Sequence, residues 1–135
     1  DPIFNLYNRN WPIRSTYQHL PPAKFIRADN DDGRYGYAVD SLVSPGCIIS
    51  GGLVKQSILA TSVHVHSWAE INQSVIGEGC NIGRRAKLNK VILDKFVTIE
   101  PDVEIGFDWN HDRARGLTVT DAGIVAVPKG MHIKE

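Results

Sequence analysis

No run in this sequence is long and apolar enough to cross a bilayer as a helix, which excludes a helical membrane anchor within it. Nor is there an excess of either charge. Fifteen Lys and Arg balance fifteen Asp and Glu, so no global field draws the chain to nucleic acid or anionic lipid, and a charged partner would need a local patch. Cysteine is scarce, with two residues, and a secretory signal peptide is lacking. Free thiols without a signal peptide favour a cytoplasmic location. An initiating methionine is lacking too; the chain begins at Asp1 and reads as a piece of a longer protein. What is present suits one turn-rich β domain: 135 residues, 42% of them apolar, with seven prolines and twelve glycines.

The aliphatic residues of the middle of the chain recur on a strict schedule. Leu42, Ile48 and Val54 are followed by Leu59, Val65 and Ile71, then by Ile76, Ile82 and Leu88, then by Leu93, Ile99 and Ile105. The step is six within each triplet, and corresponding members of successive triplets stand 17 residues apart. An even step keeps these side chains on one face of an extended backbone and does not fit helical spacing. Four residues after each aliphatic comes a small or branched apolar group, as at Gly46, Gly52, Ile58, Val63, Ala69 and Val75. This is the hexapeptide pattern of a parallel β-helix, in which three short strands make one triangular coil and coils stack about 4.8 Å apart.

Stacking turns sequence spacing into spatial neighbourhood. Glu70, Lys87 and Glu104 should form an acid, base, acid ladder outside the wall. Gly77, Gly83 and Gly106 each follow an inward aliphatic, where a corner calls for positive φ; Asn72 and Asn89 share the Gly106 column and tolerate the same conformation. Cys47 and Cys80 fall nearly two coils apart, about 9 to 10 Å and beyond the reach of a disulfide.

The organisation that follows is an extended linker and first-coil cap over residues 1–41, the β-helix over 42–106, and a C-terminal loop and cap over 107–135. Trp11-Pro12 and Pro21-Pro22 hold the first segment extended against the coil wall, and the run Asp29, Asn30, Asp31, Asp32, Gly33 reads as a solvated loop. Tyr37 and Ser41, 17 residues before Val54 and Ile58, suggest a partial first coil. After Gly106 the schedule stops, and the β-prone run Ala122 to Val127 is placed to cover the open edge of the last coil.

The strings NRNWPIRSTYQHLPPAKFI (Asn8 to Ile26), LVSPGCIISG (Leu42 to Gly51), IGRRAKLNKVILDK (Ile82 to Lys95) and IEPDVEIG (Ile99 to Gly106) resemble the C-terminal domain of bacterial ADP-glucose pyrophosphorylases, the glucose-1-phosphate adenylyltransferases. The resemblance implies a left-handed parallel β-helix, an exception to the usual crossover hand. It also implies a parent that uses ATP, Mg²⁺ and glucose 1-phosphate to make ADP-glucose and pyrophosphate for glycogen synthesis. The catalytic site would lie in the parent's own N-terminal domain, a partner of this one, in a homo-oligomer that the resemblance makes a tetramer. No catalytic residue, metal or cofactor is expected in these residues themselves.

Several residues could nonetheless carry chemistry. Ser50-Gly51-Gly52-Leu53 is the one local candidate for a phosphate cradle, and its glycines sit in the repeat, which favours a structural role. Arg84, Arg85, Lys87, Lys90 and Lys95 concentrate positive charge in two adjacent coils, a pattern that could bind a phosphorylated effector or simply be a solvated face. The resembled family carries at the position of Lys95 a basic residue that helps bind a phosphorylated regulator in the cleft between domains, which makes Lys95 the leading candidate and Arg84 and Arg85 the next. His64 and His66 turn outward together, but no third histidine falls at a matching position to complete a metal site. His111 could join only if its loop folds back. Trp109 holds the small-residue slot of a fifth coil, where it would plug the helix end. The leading expectation is a regulatory and assembly domain, inactive alone. The alternatives are a hexapeptide acyltransferase with His66 as general base and a purely structural β-helix.

Overall fold

The computed structural model describes residues 5–14, 18–27 and 35–135; the acidic run at 29–33 lies outside them. Strands come three to a coil. The first coil holds β1 (Lys24–Ile26), β2 (Tyr37–Val39) and β3 (Leu42–Val43), and the second β4 (Ile48–Ser50), β5 (Leu53–Lys55) and β6 (Ile58–Leu59). The third holds β7 (His64–Val65), β8 (Glu70–Asn72) and β9 (Val75–Ile76), and the fourth β10 (Asn81–Ile82), β11 (Lys87–Asn89) and β12 (Val91–Leu93). After β13 (Thr98–Ile99) and β14 (Glu104–Ile105) comes an excursion through helix α1 (Trp109–Ala114) and β15 (Thr118–Val119). β16 (Val125–Val127) and β17 (His132–Ile133) then close the stack.

The strands build three walls. The first runs β1-β4-β7-β10-β13-β17, the second β2-β5-β8-β11-β14 and the third β3-β6-β9-β12-β16-β15. Every pairing between named strands is parallel except β15 with β16. The chain is therefore a hexapeptide-type parallel β-helix. Stacked strands reach past both Leu42 and Gly106: β1 and β2 supply rungs before the former, β16 and β17 after the latter.

The inward columns are nearly dry. Leu59, Ile76, Leu93 and Val127 form one, Val65, Ile82, Ile99 and Ile133 the next, and Val54, Ile71, Leu88 and Ile105 the third, each residue at most 3% exposed. The expected 17-residue register holds from Leu59 onward, since Leu59 pairs with Ile76 and Leu93 with Ile76. It fails by one residue at the first coil. Val43 lies against Leu59 and Ile49 against Val65, a step of 16, so that Leu42 and Ile48 point outward. The same shorter step sets Ala38, and not Tyr37, beside Val54. Side chains alternate along a strand, so a one-residue slip in coil length exchanges the inner and outer sets.

The second small-residue column also departs from expectation, on the third wall and, through the same one-residue slip, at Gly46, whose slot buried Cys47 takes. Val63, Ala69, Cys80, Ala86, Val97 and Val103 are buried as anticipated. Ile58, Val75 and Ile92 are 44 to 47% exposed; the inward small slot belongs to the residue before each, namely Ser57, Ser74 and Val91. The serines form a ladder along the inside of this corner. Ser57 N–H donates to Ser41 Oγ (3.1 Å), Ser74 N–H to Ser57 Oγ (3.1 Å) and Val91 N–H to Ser74 Oγ (3.1 Å). Each of these hydroxyls donates to the carbonyl two residues earlier, on Val39, Lys55 and Asn72. A hydroxyl both donates and accepts, so one small side chain satisfies two buried backbone groups where the corner breaks the strand ladder.

The corners turn on positive φ, but mostly without glycine. Asp40, Gln56, Gln73 and Lys90 occupy one corner column with φ between 47° and 55°. Gly77 and Gly83, expected to need positive φ, do not have it; they are required because an added Cβ would meet backbone at 2.6 to 2.8 Å from the next coil. Asn72 and Asn89 likewise lack positive φ and instead bond to one another, Asn72 Nδ2 donating to Asn89 Oδ1 at 3.0 Å. Gly106 alone among these combines both demands, with φ +93° and a Cβ position 1.9 Å from the Asn89 carbonyl oxygen.

At the N-terminal end Pro21 accepts from Gly46 N–H and Lys24 N–H donates to the Cys47 carbonyl, which fastens residues 21–26 to the wall. Residues 5–14 do not follow; Leu6, Tyr7 and Trp11 are 59 to 77% exposed. At the other end β16 and β17 cover two of the three edges, and Leu117 seals the core. Trp109 does not plug the helix. It begins α1, half exposed, with its ring against Gly123. Buried Asp112 locks the excursion in place by accepting from Gly106 N–H (3.0 Å) and Arg115 Nη1 (3.3 Å).

Candidate functional site

The three walls differ outside as they do not inside. On the first, the outward column reads Ile48, His64, Asn81, Thr98 and His132; on the second, Tyr37, Leu53, Glu70, Lys87 and Glu104. The expected acid, base, acid stack is thus in register. The basic residues do not gather as their sequence proximity suggested. Arg84 and Arg85 sit at the corner between the first and second walls, above Ser67 and Trp68 and below Pro101 and Asp102. Lys95 sits at the corner between the third wall and the first, one side of the triangle away.

The two corners have different chemistry. Arg85 is committed to Asp102 in a two-pronged contact, Nε to Oδ1 at 2.7 Å and Nη2 to Oδ2 at 3.1 Å. That hydrogen bonding holds the Asp102 carboxyl below its ordinary pKa and raises the Arg85 guanidinium. Such a pair leaves Arg85 little to offer a separate anion. Lys95 instead shares its corner with a second cation. Gly130 N–H donates to the Lys95 carbonyl (2.9 Å) and Asp94 N–H to the Val127 carbonyl (3.1 Å), which seats Lys129 one rung above Lys95, with Glu78 one rung below. Lys129 Nζ lies 6.0 Å from the centre of the Phe96 ring, and Lys95 and Lys129 are both exposed. Two ammonium groups one rung apart can take a phosphate or dicarboxylate between them. Lys129 was not a candidate from sequence, although its distance of two repeat lengths from Lys95 was a usable signal.

The histidines are neighbours without making a metal centre. His64 and His66 stack with ring centroids 3.9 Å apart, and His66 Nε2 is hydrogen-bonded to Asn81 Oδ1 at 2.7 Å. Burial, and secondarily the charge of His66, lowers the pKa of His64. His132 pairs with Glu100 on the same wall, and His111 is exposed on α1. Among the described residues no group of three or more His, Cys, Asp or Glu is placed to hold a metal ion. The glycine pair does not fit a triphosphate: Gly51 N–H donates to Ile26 and Leu53 N–H to Ala69, and a Cβ on buried Gly52 would meet Val65 at 2.7 Å. That loop therefore does not fit a triphosphate with its Mg²⁺. Cys47 and Cys80 are free and buried, two rungs apart with Val63 between, and burial raises both thiol pKa values. No helix among the described residues is long and apolar enough to cross a membrane.

The stacked hexapeptide coils define the class: a hexapeptide-repeat parallel β-helix domain. Residues 21–127 match the family model described as GlmU-like, C-terminal hexapeptide. The chain belongs to that family. It is 52% identical over 134 residues to a glucose-1-phosphate adenylyltransferase of Bifidobacterium longum, 99% of this chain and 32% of the relative. It is 46% identical to those of Rhodopirellula baltica and Anaeromyxobacter sp., over 98% and 99% of this chain and 30% and 32% of theirs. The chain spans about a third of the length of the curated relatives it matches.

Proposed function

We propose that this β-helix is the regulatory and assembly domain of a glucose-1-phosphate adenylyltransferase that makes ADP-glucose and pyrophosphate from ATP and glucose 1-phosphate in the cytoplasm, for glycogen synthesis. The observation that carries the reading is identity of about half over nearly the whole chain to proteins of that name. Catalysis, with its Mg²⁺ and ATP, belongs to a catalytic domain that packs against this one within a homo-oligomer. The corner of Lys95 and Lys129 is the place for a phosphorylated effector, because two exposed cations on adjacent rungs meet an anion better than Arg85, already held by Asp102.

The test assays ADP-glucose formation by the 135-residue chain alone and by the chain joined to the remaining two-thirds of the Bifidobacterium longum relative. No turnover is expected from the first. The joined protein is expected to be active and to respond to a phosphorylated effector, with the response lost in Lys95→Ala and in Lys129→Ala. Turnover by the chain alone would overturn the reading, and an unchanged response in both variants would remove the corner from it.

A further inference from the structure

Three donor side chains converge on the outer face of the first wall, from two adjacent rungs. β7 turns His64 and His66 to that face on either side of buried Val65, and β10 sets Asn81 directly beside His64. The imidazoles stack with centroids 3.9 Å apart and planes inclined by 22°, while His66 Nε2 lies 2.7 Å from Asn81 Oδ1. All three residues are half-buried, so solvent still reaches them. In the column of His64 and Asn81 the flanking rungs carry Ile48 and Thr98. No ammonium or guanidinium stands there to repel an ion.

The arrangement is imposed by the backbone. Residues two apart on a strand share a face, and a rung of the stack brings Asn81 to about 4.8 Å from the strand of the histidines. Two ligands at right angles on one ion, each bonded at about 2.0 to 2.1 Å, stand about 2.9 Å apart. The contact between His66 and Asn81 is already close to that spacing. As placed, His66 Nε2 and Asn81 Oδ1 share a proton in a hydrogen bond. A neutral imidazole can carry its proton on Nδ1 instead, which frees Nε2 to bind a metal, and the amide oxygen keeps a lone pair for the same ion. His64, stacked on His66, completes the set by rotation about its χ angles.

We propose that His64, His66 and Asn81 form an exchangeable site for a late first-row divalent cation such as Ni²⁺ or Zn²⁺, which clips β7 to β10. Imidazole nitrogen favours these ions, whereas Mg²⁺ and Ca²⁺ prefer oxygen donors. The set is smaller than the three or four His, Cys, Asp or Glu of a resident centre, so water fills the remaining positions and the ion exchanges. The inference uses neither the Lys95 corner nor a catalytic domain and stands apart from the proposed function.

The experiment is isothermal titration of the 135-residue chain with Ni²⁺, Zn²⁺ and Mg²⁺ at about pH 7.5, above the imidazole range, with thermal unfolding followed in parallel and circular dichroism to confirm that each variant folds. One equivalent of Ni²⁺ or Zn²⁺ is expected to bind, and none of Mg²⁺. The thermal midpoint should rise with the concentration of the bound ion, because the ion prefers the folded state. Partners behind a metal ligand are worth about 10- to 100-fold in affinity, so His64→Ala and His66→Ala should each weaken binding at least about tenfold. Asn81→His supplies a third imidazole and should tighten it at least about tenfold. His111→Ala and His132→Ala should leave it unchanged. Absence of Ni²⁺ and Zn²⁺ binding up to about 1 mM would overturn the proposal. Binding that survives either His64→Ala or His66→Ala, or that falls as far in His132→Ala, would place the ion elsewhere and overturn it too. Failure of Asn81→His to tighten binding would contradict the geometry on which it stands.

Discussion

Replacing Ser74 by alanine tests whether the serine ladder holds the corners of the third wall. Ser74 is 3% exposed; its hydroxyl accepts from Val91 N–H at 3.1 Å and donates to the Asn72 carbonyl at 2.8 Å. Alanine fits the space and keeps the backbone conformation, so no steric term enters. What is lost is the acceptor for a buried N–H. Leaving such a donor unsatisfied costs about 1 to 3 kcal/mol, more than the net worth of an ordinary hydrogen bond. With an unfolding entropy of about 2.1 cal/mol/K per residue over 135 residues, that loss lowers Tm by about 4 to 10 °C. Urea unfolding followed by circular dichroism reads it as a lower midpoint with an unchanged slope. Ser57→Ala should cost a similar amount, because it strands Ser74 N–H in the same way. The two together should cost less than their sum, since the second change removes a residue whose contacts the first has already loosened. A Ser74→Ala chain within about 0.5 kcal/mol of wild type would refute the reasoning and leave the serines as mere small fillers.

Two glycines separate conformational strain from crowding. Gly116 and Gly106 have nearly equal φ, +88° and +93°, but a Cβ on Gly116 meets nothing within 4 Å while one on Gly106 meets the Asn89 carbonyl oxygen at 1.9 Å. Gly116→Ala should cost about 1 to 2 kcal/mol and Gly106→Ala enough to prevent recovery of folded protein; equal thermal midpoints for the two would contradict this. Stability should also fall as pH drops below about 6.5 through the range where His64 titrates in the unfolded chain. Its folded pKa is depressed by burial and by His66, so the unfolded state binds more protons there and the contribution, complete above the unfolded pKa, is lost on acidification. Urea midpoints at pH 7.5 and pH 5 should differ less for His64→Gln than for wild type, and an equal difference would remove His64 as a source.

The fold was legible because its cause is periodic and covalent. Once every coil from Leu59 on spends 17 residues on one circuit, Leu59, Ile76 and Leu93 must superpose, and the buried stacks, the charge ladder through Lys87 and the separation of Cys47 from Cys80 follow from counting. Counting set Leu59 inward correctly but gave its neighbour Ile58 a packed slot that it does not occupy. Ile58 and Leu59 are equally hydrophobic, and only the corner geometry, with Ser57 turned in to satisfy the backbone, puts Leu59 inside and Ile58 outside. Nor could it show that the first circuit is one residue short and exposes Leu42.

For the site the division is sharper. Charge and kinship with the adenylyltransferases could be read from the residues. Arg85 and Lys95, only ten positions apart, nevertheless stand at different corners because two strands, β11 and β12, and so two of the three sides of a circuit, intervene. Lys129, beyond a helix and an antiparallel turn, stands beside Lys95 because β16 rejoins the wall directly on β12. The sequence by itself determined the repeat, and with it which residues are stacked in the core. Tertiary structure alone decided that Lys129 shares a corner with Lys95 and which aliphatic column is left outside, since both depend on where the chain turns and re-enters the stack.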